Sequence, residues 1–319
     1  MAECSPNSTA TERVAAGEAQ RNDNLELFLR QIGAIFDVSS ILNKRQARSQ
    51  VVHYYLINRL ALLFYNSSGF FHYGISYDGK YKKDDHKEHA RIIERYIRAR
   101  GAKKVMELGS GLGPNIAFLA RRNPGVAFDG VDLSNKPLHR NKTPSNAFFY
   151  LGDYHDLSRF EDDSYDIIYI IEALCYSIDK SRVLHEARRK LRKSGLLIVF
   201  DGYQRGRAEP LNPSEEVMWG LISKSLACET IESVNVVETY MREEFSITDV
   251  KDLTQCVLPS LFRFERLARF YFSYPVLARA VNTFVPHDVA KNIIHIILLP
   301  ISVERQVGCY YSHVLQKDN

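Results

Sequence analysis

Long apolar runs are missing from this sequence. None of its 319 residues belongs to an apolar stretch near the roughly 20 residues that cross a bilayer as a helix, so we expect no membrane span. The first 24 residues also lack the apolar core of a secretory signal. They are rich in Ser, Thr, Ala, Asn and Glu, which predicts a disordered tail over 1–24. We therefore expect a cytoplasmic location.

Cysteine is scarce and follows no motif. The five cysteines are widely spaced, odd in number and form no CxxC or Cys/His pattern. This favours a reducing compartment and predicts no metal site.

Excess charge of one sign is absent as well. A formal net charge of +4 is too small to indicate a nucleic-acid partner. The densest basic cluster, at 188–193, falls in the last turns of a predicted helix, where cations complement the helix dipole. A hydrophobic content of 45% is ordinary for a soluble globular protein. The length suits one large domain or a domain with an insertion, and a homo-oligomer stays open.

Short apolar segments alternate with helical segments in the middle of the chain. The helices are clearest at 114–122 and 180–191. This alternation indicates an α/β fold with a parallel sheet covered on both faces, and nearly all-apolar strands fit such burial. The strand candidates are Lys104–Leu108, Ala127–Asp132, Ala147–Leu151, Tyr165–Ile171 and Gly195–Asp201.

Helical segments flank this alternating core on both sides. Apolar spacing over 25–65 predicts two or three helices, and a capped helix follows over 84–101. After the core, 211–243 and 260–300 are helical, and the second of these segments is aromatic. The remaining strand candidates are 244–250 and 306–316.

The stretch "VMELGSGLGPN", 105–115, carries three glycines at alternating positions. Gly109, Gly111 and Gly113 permit a tight turn and let a ligand approach the backbone at a helix start. Dinucleotide loops use G-x-G-x-x-G, whereas the spacing here is G-x-G-x-G. Glu107 precedes the first glycine. A carboxylate there would repel a pyrophosphate but attract the ammonium group of an amino-acid moiety.

Two further acids lie at or just after the ends of the next two strands. Asp132, with Leu133 after it, stands where an acid accepts both ribose hydroxyls; this supports a nucleoside without separating NAD from S-adenosylmethionine. Asp153 follows the third strand and can accept from an adenine amino group, with Tyr154 beside the ring. The set of three acids around the glycine loop favours S-adenosylmethionine.

These motifs resemble the class I methyltransferases, strongly over about 100–203. The stretch "IIEALCYSIDKSRVLHEARRKLRKSG" is similar to the sterol C-methyltransferase and tocopherol methyltransferase branch, as are "KDLTQCVLPS" at 251–260 and "HYGIS" at 72–76. The chain departs from the branch at 193–196, where Lys-Ser-Gly-Leu replaces Lys-Pro-Gly-Gly. The resemblance implies a Rossmann-like, doubly wound, seven-stranded sheet with S-adenosylmethionine as cofactor.

The catalytic candidates lie after the fourth strand and in the loop before the core. Glu172 and Tyr176 occupy the place where a doubly wound sheet presents its ligands, and the resemblance places the matching Glu in the active site. His72 and Tyr73 are expected to form part of a lid over the sulfonium. His155 is interpreted as a solvated loop residue, and Cys175 as a small buried residue.

The aromatic segment favours a small lipophilic acceptor, such as an isoprenoid, a sterol-like or a polycyclic metabolite, with C-methylation expected. It also leaves a peripheral membrane contact open. The alternatives are O- or N-methylation of a small molecule, methylation of RNA or protein, a non-catalytic cofactor-binding protein, and an NAD oxidoreductase, which the glycine spacing disfavours.

The chain is thus divided into five predicted regions. They are a disordered tail over 1–24, a helical lid over 25–99, the S-adenosylmethionine-binding core over 100–205, remaining core with a helical substrate cap over 206–305, and the last strand with the C-terminus over 306–319.

Overall fold

A seven-stranded mixed sheet organises the protein. The computed structural model describes residues 18–45, 54, 69–133 and 143–318. The strand order is β3-β2-β1-β4-β5-β7-β6, and β7 runs antiparallel between β5 and β6. This confirms the predicted doubly wound α/β fold. The strands are β1 (Lys104–Leu108), β2 (Ala127–Asp132), β3 (Ala147–Leu151), β4 (Tyr165–Ile171), β5 (Leu191–Gln204), β6 (Ser246–Asp252) and β7 (Gly308–Gln316).

Helices cover both faces of the sheet and extend beyond it. Short 3-10 turns occupy Lys83–Lys87, Leu174–Tyr176 and Phe262–Phe264. The α-helices are α1 (Glu18–Gly33), α2 (Val38–Asn43), α3 (Glu88–Arg100), α4 (Pro114–Arg122), α5 (Lys180–Lys190), α6 (Pro213–Ser225), α7 (Val234–Glu244), α8 (Thr254–Leu261), α9 (Glu265–Ser273), α10 (Pro275–Asn282), α11 (His287–Ala290) and α12 (Asn292–Glu304).

The order of the strands reverses between β1 and β4. Both strands are almost entirely buried, because helices pack on each face. β1 pairs in parallel with β2 on one side and with β4 on the other, so the strands that follow β1 are added on opposite sides of it. Ligands of open α/β sheets bind at the carboxyl ends of the strands at such a switch point. The glycine loop after β1 and Glu172 after β4 both lie there.

Three predicted strands have ends that differ from the structure. β5 begins at Leu191, not Gly195, and continues past Asp201 because antiparallel pairing with β7 extends it to Gln204. That pairing comes from a distant segment, which local sequence patterns cannot report. Strand β6, predicted at 244–250, lies two residues later, and β7, predicted at 306–316, starts at Gly308.

The N-terminal helices pack behind the cap. Helix α1 begins at Glu18, inside the segment predicted as a disordered tail. The prediction missed this start because the first turns of the helix are polar and show no apolar periodicity before Leu25, which is 1% exposed. Leu25 and Phe28 share an apolar core with Trp219 of α6 and Ile297 of α12. The apolar positions predicted to be helical at Val51, Val52, Tyr55, Leu56 and Leu60 lie outside the described residues.

Neither the helices nor the cysteines add a membrane or metal feature to the described part of the chain. None of the helices there combines the length and apolar character that a bilayer crossing needs. Cys175, Cys228 and Cys309 are free thiols. Cys256 is disulfide-bonded, and the reducing compartment that the cysteine pattern favoured stays a prediction.

Candidate active site

The glycine loop connects β1 to α4 at the switch point. Gly109, Gly111 and Gly113 all have positive φ, of 75°, 52° and 76°. A Cβ at Gly109 would lie 2.5 Å from the Ala173 Cβ, and one at Gly113 would lie 2.3 Å from Phe149 Cε1. A Cβ at Gly111 would meet nothing within 4 Å. The two outer glycines are therefore required by packing, whereas the middle one faces open space that a ligand can approach.

Asp132 holds the loop from the end of β2. Its Oδ2 accepts a hydrogen bond of 2.9 Å from the Gly111 backbone N–H. Leu133 follows and is half-buried. This arrangement sets a carboxylate beside the open side of the loop, where the sequence predicted ribose binding.

Glu107 lies beneath the loop and is only 2% exposed. Asn115 Nδ2 donates to its Oε1 at 3.1 Å, and the Tyr169 hydroxyl donates to its Oε2 at 3.2 Å. Burial raises the pKa of Glu107 to about 8, against the opposing effect of these hydrogen bonds. A ligand ammonium beside it would favour the ionised form, so cofactor binding and ionisation of Glu107 are coupled.

Asp153 has a partner that the sequence reasoning missed. Its Oδ1 accepts from the His155 backbone N–H at 3.0 Å and lies 2.6 Å from His155 Nδ1. His155 Nε2 lies 2.7 Å from Ser177 Oγ, so His155 is not a solvated loop residue. Tyr154 is held too, because its hydroxyl donates to the Ala173 carbonyl at 3.0 Å. Adenine binding by Asp153 and Tyr154 stays a prediction.

Glu172 follows β4 in a strained backbone conformation. Its φ is 47°, which is uncommon for a residue with a side chain and is typical of functional sites. Its Oε1 accepts from the Tyr73 backbone N–H and from the Tyr310 hydroxyl, each at 2.9 Å. Burial raises the pKa of Glu172 to about 8, and both hydrogen bonds oppose that rise. No local signal in the sequence pointed to Tyr310, since it comes from the last strand.

His72 is buried, at 5% exposure, and lies beside the start of α4, the helix that follows the glycine loop. Its Nδ1 donates to the Tyr73 carbonyl at 3.0 Å, and its Nε2 lies 3.3 Å from Asn115 Oδ1. Burial lowers the pKa of His72, and the hydrogen bonds to Tyr73 and Asn115 oppose that shift. Tyr73 borders the cavity described below, whereas His72 does not. The two residues predicted as one lid therefore have different surroundings.

His89 is also buried and packs against His72, with 4.5 Å between the ring centroids. His72, His89 and Glu172 bring potential ligand atoms within 4.8 Å of one another, the one such grouping across the described residues. His89 Nε2 already lies 2.9 Å from the Tyr310 hydroxyl. Hydrogen bonds thus account for much of the grouping, and the absence of a metal stays a prediction.

An apolar cavity of about 400 Å³ opens beside Glu172. Tyr73, Tyr176 and Tyr310 border it at the sheet, and Cys175 lies beside them. Helices α10 to α12 supply much of the remaining wall, so the predicted cap encloses this space, while the described residues of α1 and α2 do not border it. Glu172 borders the cavity, and the next residue, Ala173, packs against Gly109 of the glycine loop.

Comparison with known proteins agrees with this geometry. A family model described as a methyltransferase domain matches residues 106–199. The demethylmenaquinone methyltransferase of Thermotoga maritima is 32% identical over 118 residues, which cover 37% of this chain and 51% of that protein. The 24-methylenesterol C-methyltransferase 2 of Arabidopsis thaliana is 24% identical over 191 residues, covering 57% and 52%. The chain thus spans about half the length of these curated relatives.

Solved structures share the fold at low sequence identity. The [4+2]-cyclase SpnF is 16% identical, with a TM-score of 0.67 and coverage of 86% of this chain and 97% of that one. The geranyl diphosphate C-methyltransferase of Streptomyces coelicolor is also 16% identical, with a TM-score of 0.57 and coverage of 84% and 97%. The family model thus identifies a methyltransferase domain over residues 106–199, and these solved structures share the fold of the chain.

Proposed function

We propose that this protein transfers a methyl group from S-adenosylmethionine to a carbon atom of a small lipophilic acceptor. One observation carries the proposal: Glu172, held in a strained conformation, borders the apolar cavity, and its neighbour Ala173 packs against the glycine loop. In the proposed site, Gly109, Gly111 and Gly113 receive the amino-acid half of the cofactor beside Glu107. Asp132 and Leu133 receive the ribose, and Asp153 and Tyr154 the adenine.

The proposed reaction is an in-line displacement at the sulfonium methyl group. The π electrons of an acceptor alkene form the new C–C bond, and the pair of the C–S bond stays on sulfur as S-adenosylhomocysteine leaves. A carbocation results, which aromatic faces stabilise. Tyr73, Tyr203 and Tyr310 border the cavity beside Glu172. The Glu172 carboxylate then takes a proton from the carbon next to the cation, and an alkene is restored.

Glu172 must be ionised to act as this base. Its pKa of about 8 leaves it partly protonated at neutral pH, because burial penalises the charged form. The sulfonium, and later the carbocation, each place positive charge beside the carboxyl group and favour its ionised form. The base is therefore charged most readily when the cofactor is bound.

The same carboxylate would serve O- or N-methylation by taking a proton from an acceptor hydroxyl or ammonium group. Product analysis separates these reactions. Transfer of a deuterated methyl group followed by NMR shows whether the label sits on carbon, oxygen or nitrogen. Label recovered in RNA or protein, and not in a lipid extract, would contradict the small-molecule proposal; no transfer at all would favour a binding protein.

Replacing Glu172 by Gln tests the base directly. The amide keeps the size of the side chain but cannot take the proton, so we expect turnover to fall by about 10²- to 10⁴-fold. Binding of S-adenosylmethionine, measured by calorimetry, should stay unchanged. Glu161→Gln is the matched control, because Glu161 is exposed. Full activity of E172Q would end the catalytic role of Glu172.

The cap also supports a peripheral membrane contact. Phe270, Tyr274 and Phe284 are 56%, 54% and 89% exposed, and Val276 is 82% exposed. Val281 is 43% exposed and also borders the cavity, so this apolar surface adjoins the acceptor space. We expect Phe270→Ser with Phe284→Ser to reduce co-sedimentation with phosphatidylcholine–phosphatidylglycerol vesicles severalfold, whereas the exposed control Leu27→Ser should not. Equal vesicle binding by all three proteins would contradict this contact.

A further inference from the structure

Helix α12 forms one long wall of the cavity. Residues along its length border the space, from Asn292 at one end to Ser302 and Val303 at the other. A Cβ at Gly308 would lie 2.5 Å from Ser302 Oγ, so the carboxyl end of α12 adjoins β7, the strand that carries Tyr310. At 1.5 Å per residue, His295 lies about 10 Å along the helix from Ser302. His295 is therefore well removed from the reaction end.

His295 brings an imidazole ring to the wall of the cavity. It is the sole imidazole among the described residues that border the cavity, and its Nδ1 is buried without a hydrogen-bond partner. Leaving a buried polar group unpaired costs roughly 1–3 kcal/mol. One helical turn away, Asn292 Oδ1 accepts a hydrogen bond of 3.0 Å from the Tyr54 hydroxyl. This end of the cavity is thus polar, and its histidine lacks a partner.

The charge of the wall restricts what His295 can bind. Burial, with repulsion from Lys291, lowers the pKa of His295 to about 3, so the ring is neutral and offers one donor and one acceptor. Lys and Arg do not occur among the cavity-bordering residues that the structure describes, whereas Glu172 and Asp201 do. A phosphate or diphosphate in this space would find no cationic partner among the described residues that border it, which is unfavourable for a buried anion.

We propose that His295 forms a binding subsite for an uncharged hydroxyl or carbonyl group, at the end of the acceptor opposite to the methylated atom. The cavity then takes neutral lipophilic acceptors in preference to phosphate esters. This inference rests on the proposed function, because it names the acceptor class of the same cavity.

Trp219 provides a measurement that does not depend on methyl transfer. It is the single tryptophan of the chain and borders the cavity. Its fluorescence therefore reports occupancy alone. Farnesol, farnesyl diphosphate and farnesene share one chain length and differ at the end, so we would titrate each into the S-adenosylhomocysteine complex. We expect farnesol to bind at least tenfold more tightly than either of the others.

Variants of His295 then test the subsite itself. His295→Phe should reduce farnesol affinity to that of farnesene and leave farnesene unchanged. His295→Gln should keep much of the preference, because an amide also donates and accepts hydrogen bonds. Ile296→Val is the matched control, since Ile296 borders the cavity on the same helix without a polar group. Unchanged cofactor affinity and melting temperature establish that each variant is folded.

Three outcomes would overturn the inference: tightest binding of farnesyl diphosphate, an H295F variant that still prefers farnesol, or no fluorescence response to any of the three probes. The proposed function fails separately. If E172Q turns over at the normal rate while farnesol binding still depends on His295, the catalytic proposal falls and the subsite stands.

Discussion

The Tyr310 hydroxyl donates a hydrogen bond of 2.9 Å to Glu172 Oε1, although the two residues are far apart in the sequence. His89 Nε2 lies 2.9 Å from the same hydroxyl, and His89 Nδ1 is buried without a partner. The tautomer that fits carries its proton on Nε2 and donates to Tyr310. The Tyr310 hydroxyl thus donates its hydrogen bond to Glu172 and stabilises the carboxylate.

Removing the Tyr310 hydroxyl should change the pH dependence of catalysis. If Glu172 is the base that we propose, kcat/KM should rise with pH through the pKa of about 8. The hydrogen bond from Tyr310 lowers that pKa, so Tyr310→Phe should move the rise to higher pH by about one to two units. Tyr311→Phe, on the neighbouring position of β7, should leave the profile in place. A profile of Y310F that coincides with the wild type would contradict this coupling.

Asp132→Ala should weaken cofactor binding. The variant loses charge-assisted hydrogen bonds to the ribose and the bond that holds the Gly111 N–H. We expect a loss of roughly 1–3 kcal/mol, or about 5- to 150-fold in Kd, for both S-adenosylmethionine and S-adenosylhomocysteine by calorimetry. Asp156→Ala is the control, because Asp156 caps a turn at the surface. An unchanged Kd would remove Asp132 from the cofactor site.

Substitutions of two loop glycines should separate binding from folding. Gly111→Ala places its methyl group in open space, so it should cost about 1 kcal/mol of backbone strain but raise the cofactor Kd tenfold or more. Gly113→Ala places a methyl group against the Phe149 ring and should lower the melting temperature much further. Gly125→Ala, in open space without a positive φ, should change neither. Normal cofactor affinity of G111A would show that no ligand approaches the loop there.

Local patterns in the sequence predicted the core well. Strands β1 to β4 begin and end at the predicted residues, because a strand buried on both faces needs an uninterrupted apolar segment with turn residues after it. The glycine loop and its acids were likewise visible, since each of them lies at or just after the end of a strand. Parallel strands bring those carboxyl ends together at one edge, so sequence order alone predicts where the candidate site lies, and the roles of its residues stay predictions.

The partners of the site residues depend on the tertiary structure. Tyr310 reaches Glu172 because β7 inserts antiparallel beside β5, and nothing in the segment around it marks that pairing. Asn115 and Tyr169 meet Glu107 because α4 and β4 pack on either side of β1. Contacts of this kind join segments far apart in the chain, and no local periodicity encodes them.

What the sequence by itself determined is the class of the fold, the strand ends and the cofactor loop, since these follow from apolar periodicity and from the backbone freedom of glycine. Only the tertiary structure decided that Glu172 is strained and buried, that His72 faces Asn115 rather than the cavity, and that α12 turns His295 toward an apolar space. Burial, side-chain direction and the chemistry of a cavity wall arise when distant elements pack, and the folded chain alone specifies them.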